Sequence, residues 1–205
     1  MNDIEFAALL VSRVCHDLVS PVGAVVNGLE VLAEERDATM RADALKLVVS
    51  SAEQAAARLQ FARVAFGAAG SAGAELDLTE VGRVVQGLVA GSKIEIDWKA
   101  AALNWPKDWA KLLMNATLLA ADCLPRGGRV VVETSGDPSQ PAFTVRATGQ
   151  NARVLEEIAL AARGENAAAL DGRSIQAYLT NKLAKSLDVG LVLSVCEGSV
   201  SVTAG

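Results

Sequence analysis

Two runs of apolar residues at helical spacing constrain this chain more than any other feature. Between about Asp3 and Glu35, the residues Val11, Val14, Leu18, Pro21, Val25, Gly28 and Leu32 step by alternating three and four positions, while Leu10, Val22 and Leu29 widen the stripe on one flank. After the polar turn Glu34-Glu35-Arg36-Asp37, the residues Leu45, Val48, Ala52, Ala55, Leu59, Ala62 and Phe66 repeat the rhythm. Two amphipathic helices joined by so short a turn form an antiparallel hairpin. A lone hairpin leaves apolar surface in water, whereas two copies paired about a two-fold axis close a four-helix bundle around a shared core. The expectation is a homodimer.

The pattern changes after Gly67-Ala68-Ala69-Gly70-Ser71-Ala72-Gly73-Ala74, a small-residue stretch with the composition of a linker. The predicted division is a helical hairpin over 1–67, a linker over 68–76 and a second domain over 77–205. In that domain Thr79 can cap a helix running to about Ala90, Ile94, Ile96 and Trp98 alternate as in a half-buried strand, and Pro106 suits the first turn of a helix to about Ala121. Gly127-Gly128 turns into a strand from Arg129 to Thr134, and Phe143 to Ala147 reads as another. Helices follow over Arg153 to Arg163 and Ile175 to Leu187, then strands Gly190 to Glu197 and Ser199 to Thr203 about a Gly198 turn. Strands and helices interleave without a regular βα repeat. The fold class is therefore α+β, the hairpin being followed by an α/β two-layer sandwich with helices over one face of a mixed sheet.

A net charge of −5 over 205 residues, with no clustered basic run, argues against nucleic acid as a partner. Cys15, Cys123 and Cys196 are too far apart in sequence, and too few, for a disulfide framework or a zinc site. No uninterrupted apolar stretch approaches the roughly 18 to 20 residues of a bilayer span, and the start Met-Asn-Asp-Ile-Glu lacks a basic leader region. No membrane partner and a cytoplasmic location are the expectations.

His16 is the single histidine. It lies two positions after Val14 and two before Leu18, so the helix turns it away from the seam toward solvent. Its neighbours at helical spacing, Ser12, Arg13, Val19, Ser20 and Gly23, are mostly small or polar and leave room for another protein to dock. An exposed histidine is more often a plain solvated side chain, but the local sequence His16-Asp17-Leu18-Val19-Ser20-Pro21 adds chemistry. Asp17 can orient the imidazole, act as a nearby base and stabilise a passing cation. Pro21 sits inside a helix at a typical cost of about 3 kcal/mol, and the bend and freed carbonyls expected there would let the histidine swing between partners. Cys15 points about 100° away around the helix, so the pair lacks nucleophile-base geometry.

The string from His16 to Pro21 resembles the H-box of sensor histidine kinases, where a histidine, an acid and a later proline lie on the first helix of a dimeric hairpin. Lys111-Leu-Leu-Met-Asn115-Ala116 and Pro125-Arg126-Gly127-Gly128-Arg129-Val130 resemble the N-box region of their ATP-binding domain and the strand after it. The departures are informative. Thr148-Gly149-Gln150-Asn151-Ala152 stands where that family has a carboxylate to read adenine, Lys111 replaces a magnesium-holding asparagine, and Ala177-Tyr178-Leu179-Thr180-Asn181 replaces a glycine-rich lid.

An intact H-box beside a ruined nucleotide pocket is similar to the histidine phosphotransferases of the alphaproteobacterial cell-cycle phosphorelay. That resemblance implies phosphotransfer between the aspartates of response-regulator receiver domains, from a hybrid kinase's receiver to a downstream DNA-binding regulator. His16 would be the phosphoacceptor and Asp17 its orienting acid. No cofactor is expected, Mg2+ being carried by the receiver. With Ser12, Arg13, Ser20 and Gly23 on the first helix, folding the hairpin back brings Gln54, Ala57, Arg58 and Phe61 into the expected receiver-binding surface. A divergent kinase and a non-catalytic adaptor are the rival readings.

Overall fold

The computed structural model describes residues 1–67 and 73–205, so most of the stretch read as linker lies outside the described residues. Helix α1 (Asp3–Glu34) begins with a capping box: Asn2 Oδ1 accepts from the Glu5 amide at 2.9 Å and Glu5 Oε2 accepts from the Asn2 amide at 2.9 Å. Helix α2 (Ala38–Ala65) begins at Asp37, whose Oδ1 accepts from the amides of Thr39 and Met40, each at 2.9 Å. In the turn between them Glu35 Oε1 accepts from the amides of Arg36 and Asp37, which holds its carboxyl below the ordinary value.

The hairpin closes most tightly at Gly28. A Cβ there would lie 2.6 Å from Val48 Cγ2 and 3.3 Å from the carbonyl oxygen of Ala44, so glycine is what permits the approach. The seam read from the sequence resolves into two faces. Val14, Leu18, Pro21, Val25, Gly28 and Leu32 of α1 turn inward, as do Val48, Ala55, Ala62 and Phe66 of α2. Val11, Val22 and Leu29 of α1 and Leu45, Ala52 and Leu59 of α2 stay exposed, Val11 at 62% and Leu59 at 56%. One antiparallel neighbour covers only one stripe of a helix whose apolar face is broader than a two-stranded seam.

Strand β1 (Glu75–Asp77) opens the second domain and pairs antiparallel with β3 (Asn104–Pro106), with Leu76 opposite Trp105. This small sheet starts within the predicted linker, and β3 was not anticipated: three residues ending in proline carry little strand signal. Helix α3 (Leu78–Val89) is capped by Asp77, which accepts from the Thr79 amide at 2.7 Å, so Thr79 is inside the helix it was expected to cap. Helix α4 (Lys107–Asp122) starts immediately after Pro106.

The main sheet contains β2 (Ile94–Lys99), β4 (Gly128–Ser135), β5 (Ala142–Thr148), β6 (Leu191–Cys196) and β7 (Ser199–Ala204) in the order β2-β4-β5-β7-β6. Only the β2/β4 pair is parallel, which makes it the mixed sheet anticipated. Helix α5 (Glu156–Ala162) is shorter than predicted because the Arg153 amide is tied to the Cys123 carbonyl at 3.0 Å, outside any helical pattern. A single 3₁₀ turn (Ala167–Ala169) precedes α6 (Ile175–Ser186).

Helix α4 is the keel of this domain. Leu112, Leu113, Met114, Asn115 and Ala116 are all fully buried between the sheet and the other helices. Trp105 and Trp109 meet edge to face at 6.1 Å, and Trp109 meets Phe143 at 6.4 Å, so these aromatics belong to the core. Across the domain boundary, Phe6 of α1 packs edge to face on Tyr178 of α6 at 6.1 Å, with Lys182 Nζ 5.1 Å from the Phe6 ring centre. The hairpin is thus seated on the second domain at α6 as well as through α2.

Candidate functional site

His16 projects from α1 with its side chain 84% exposed, and its Nδ1 lies 3.5 Å from Asp17 Oδ1. The other carboxylate oxygen of Asp17 is held: Oδ2 accepts from Arg13 Nε at 2.9 Å, one helical turn back. Arg13 is in turn fixed from the second domain, where Asp122 Oδ2 lies 3.4 Å from Nη2 and the Arg173 carbonyl 3.4 Å from Nη1. All three guanidinium nitrogens are therefore engaged, and the arginine side chain is only 13% exposed.

Pro21 explains a further contact. An α-helix bonds each amide to the carbonyl four residues earlier, and proline has no N–H, so the Asp17 carbonyl has no donor from its own helix. Arg58 of α2 supplies one: its Nη1 donates to that carbonyl. Helix α1 continues through Pro21, and the ring is buried. Rather than a free carbonyl in a loosened turn, as expected, the structure shows the vacated acceptor occupied by a cation from the partner helix. Asp17 is thus held at both its side chain and its backbone.

The expected docking residues divide. Ser12 and Ser20 are exposed, and Gly23 is half-buried with nothing within 4 Å of where a Cβ would stand. Gln54 and Ala57 are half-buried beside Gly87 and Gly91 of the α3 end. Arg13 and Arg58 are half-buried, their guanidiniums committed internally. Phe61, expected on the receiver-binding surface, is a correction: it is 2% exposed, edge to face with Phe66 at 5.9 Å, and part of the continuous core. The second domain packs on that face of α2, which the hairpin pattern alone did not show.

A groove runs beside His16, with Ser12, Arg13 and Asp17 on one wall and Leu155, Ile158, Asp171, Gly172 and Arg173 on the other. The opposite wall was missed from sequence because only tertiary packing brings α5 and the start of α6 to the hairpin. Its loop is rigidified by Asp171, whose Oδ1 accepts from the Ser174 amide and hydroxyl, each at 2.8 Å, and from the Arg173 amide at 2.9 Å. These donors, Ser174 foremost, hold the Asp171 carboxyl below its ordinary value.

The positions that would hold magnesium and nucleotide in a histidine kinase do not fit them. The amide nitrogen of the fully buried Asn115 donates to the carbonyls of Ala65 at 3.1 Å and Lys111 at 2.9 Å. Gln176 Nε2 donates to the Asn115 carbonyl at 2.8 Å and to Asn115 Oδ1 at 3.3 Å, and Thr180 Oγ1 to the Gln176 carbonyl at 2.8 Å. Asn115 is thereby spent on the interior, and the segment in place of a lid is helical, part of α6. Lys111, at the position where the resemblance expects a magnesium-holding asparagine, brings a cation instead, and burial lowers its pKa. A Cβ at Gly149 would lie 2.5 Å from the Gly127 carbonyl oxygen, so the loop after β5 is closed against the turn before β4. Cys123 is buried, and desolvation pushes its thiol up to about 12; Cys15 is exposed.

A family model described as the histidine phosphotransferase C-terminal domain matches residues 78–198. The protein phosphotransferase ChpT of Brucella abortus (strain 2308) is 41% identical over 199 residues, which span 95% of this chain and 91% of that protein. A solved structure of a bacterial phosphotransferase is 34% identical, covers 100% of this chain and 98% of its own, and superposes with a TM-score of 0.90. The histidine kinase domain of the Erythrobacter litoralis EL346 blue-light activated histidine kinase is 13% identical over 89% of this chain and 94% of its own, with a TM-score of 0.50. That last likeness concerns the fold alone.

Proposed function

The chain belongs to the histidine phosphotransferase family, and we propose that His16 is the residue that carries its phosphoryl group, between the aspartates of two receiver domains and without ATP. Phosphotransfer within a phosphorelay is the family's role. The observation that carries the assignment to His16 is its geometry: the imidazole is open to solvent, while the acid behind it is fixed by Arg13 and Arg58.

With the Nδ1 proton directed at Asp17 Oδ1, the lone pair of Nε2 faces outward. It attacks the phosphorus of a receiver's aspartyl phosphate in line, and the bond to the aspartate oxygen breaks, leaving a free carboxylate on the receiver. Mg2+ held by the receiver's own acids offsets the phosphoryl charge. The resulting phosphoimidazolium is stabilised by Asp17, and the same steps in reverse load a second receiver. Positioning supplies most of the rate, and Asp17 arrives already positioned. Ser12, Ser20 and Gly23, with Gln54 and Ala57, offer an open surface on which a receiver can dock.

The chain acts as a homodimer. Val22, Val26 and Leu29 on α1, with Leu45, Val49 and Leu59 on α2, are each 49% exposed or more, and a second hairpin would cover both stripes at once. By length and composition α1 also contains a stretch apolar enough to cross a membrane. Its ion-paired Arg13 and Asp17 and its inward seam against α2 favour the bundle and a cytoplasmic location. The test of the chemistry is parallel incubation with labelled ATP and with a labelled phospho-receiver. Label is expected on the chain from the receiver alone; label from ATP would restore the kinase reading, and label from neither would favour a binding-only adaptor.

A further inference from the structure

Asp122 stands at the far end of the chain of contacts that begins at His16, and phosphotransfer has no assigned use for it. It is the last residue of α4, in the second domain, yet its Oδ2 reaches Arg13 Nη2 at 3.4 Å, and Arg13 Nε reaches Asp17 Oδ2 at 2.9 Å. Asp17 Oδ1 then faces His16 Nδ1 at 3.5 Å. We propose that Asp122 is a positioning residue for phosphotransfer, acting on His16 through Arg13 and Asp17, so that the second domain completes the phosphoacceptor site. This rests on His16 being the phosphoacceptor.

Two properties of the geometry carry it. A guanidinium is a planar fork, and fixing Nη1 and Nη2 from the second domain leaves Nε no freedom but to point at Asp17. The charges also compete. Asp17 and Asp122 share one cation, and each carboxylate draws it away from the other. With Asp122 present, Asp17 keeps enough negative charge on Oδ1 to accept the imidazole N–H. With that carboxylate neutralised, the cation's charge is opposed by Asp17 alone, Oδ1 becomes a poorer acceptor, and one of the arginine's two anchors in the second domain is weakened to a neutral hydrogen bond. Arg58, the other cation at Asp17, touches only the backbone carbonyl and cannot compensate.

The experiment uses the full chain with Asp122→Asn, which preserves shape and removes charge, and Asp122→Glu, which restores the carboxylate. Transfer from a phosphorylated receiver is followed by rapid quench. Because the chain has one histidine, imidazole 15N shifts report the His16 tautomer without assignment ambiguity. Asp122→Asn is expected to lower the transfer rate at saturating receiver roughly 3- to 10-fold, as loss of an orienting contact does, with KM little changed. The population protonated at Nδ1 should fall in parallel, and Asp122→Glu should recover both. A rise in KM alone would make Asp122 a docking residue and overturn the proposal; so would a slower rate with an unmoved tautomer, a moved tautomer with an unmoved rate, or no change in either. If Asp122→Asn fails to fold, Asp122→Ser is read by the same criteria. Wild type that accepts no label would instead sink the His16 assignment itself.

Discussion

Removing Arg58 tests the physical link between a proline in a helix and a cation on its neighbour. In Arg58→Ala the Asp17 carbonyl loses the donor that replaced the missing Pro21 amide. A part-buried acceptor left unpaired costs about 1–2 kcal/mol, to which loss of the arginine stem's packing is added. A double-mutant cycle separates the two. In Pro21→Ala the backbone regains an N–H at position 21, which bonds the Asp17 carbonyl directly, so Arg58→Ala in that background should lose only the stem. The expected coupling is about 1–2 kcal/mol. For a chain of this size that corresponds to roughly 2–8 °C of melting temperature between the two Arg58→Ala shifts. Calorimetry or dichroism at one fixed protein concentration measures it, since an oligomer's midpoint depends on concentration. Coupling below about 0.3 kcal/mol would show that the proline's missing amide and the arginine are unrelated.

Other outcomes follow from single features. Gly28→Leu should lower stability by about 1–3 kcal/mol by forcing α1 off Val48 and Ala44, read as a urea midpoint shift. Leu59→Glu, on the exposed stripe of α2, should convert dimer to monomer by light scattering without altering helix content; an unchanged mass would place the interface elsewhere. Iodoacetamide at pH 8 should modify Cys15 and Cys196 and spare Cys123, which is buried with its thiol held up to about 12, until denaturant is added. The Asp171 carboxyl, held below its ordinary value by the Ser174 donors, stabilises the 171–174 turn above its unfolded pKa and loses that contribution as pH falls through the lower folded value. The protection of the Arg173 and Ser174 amides, meaning exchange corrected for its intrinsic pH dependence, should therefore fall on acidification in wild type and change little with pH in Asp171→Asn.

The hairpin was legible because helix period, polar turn and seam all lie in local sequence, and the position of His16 follows from its offset to Val14 and Leu18. The mixed sheet was legible strand by strand from alternation and glycine turns. What failed was what depends on distant packing. Phe61 shares the apolar character of a docking anchor, and only the second domain's arrival on α2 decides that it is core. Arg13 and Arg58 look like free surface cations until Asp122 and the amide-less Pro21 supply their partners. Leu155, Ile158 and Arg173 lie some 140 to 160 positions from His16 and carried no local sign of sharing a groove with it.

The most direct test of the central claim is a two-step relay. A receiver carrying labelled aspartyl phosphate is mixed with wild type or His16→Ala, the chain is repurified, and it is then presented with a second, unlabelled receiver. Wild type should acquire label that is acid-labile and base-stable and pass it to the second receiver, while His16→Ala acquires none. Label on His16→Ala, or label that leaves wild type only as inorganic phosphate, would contradict the account.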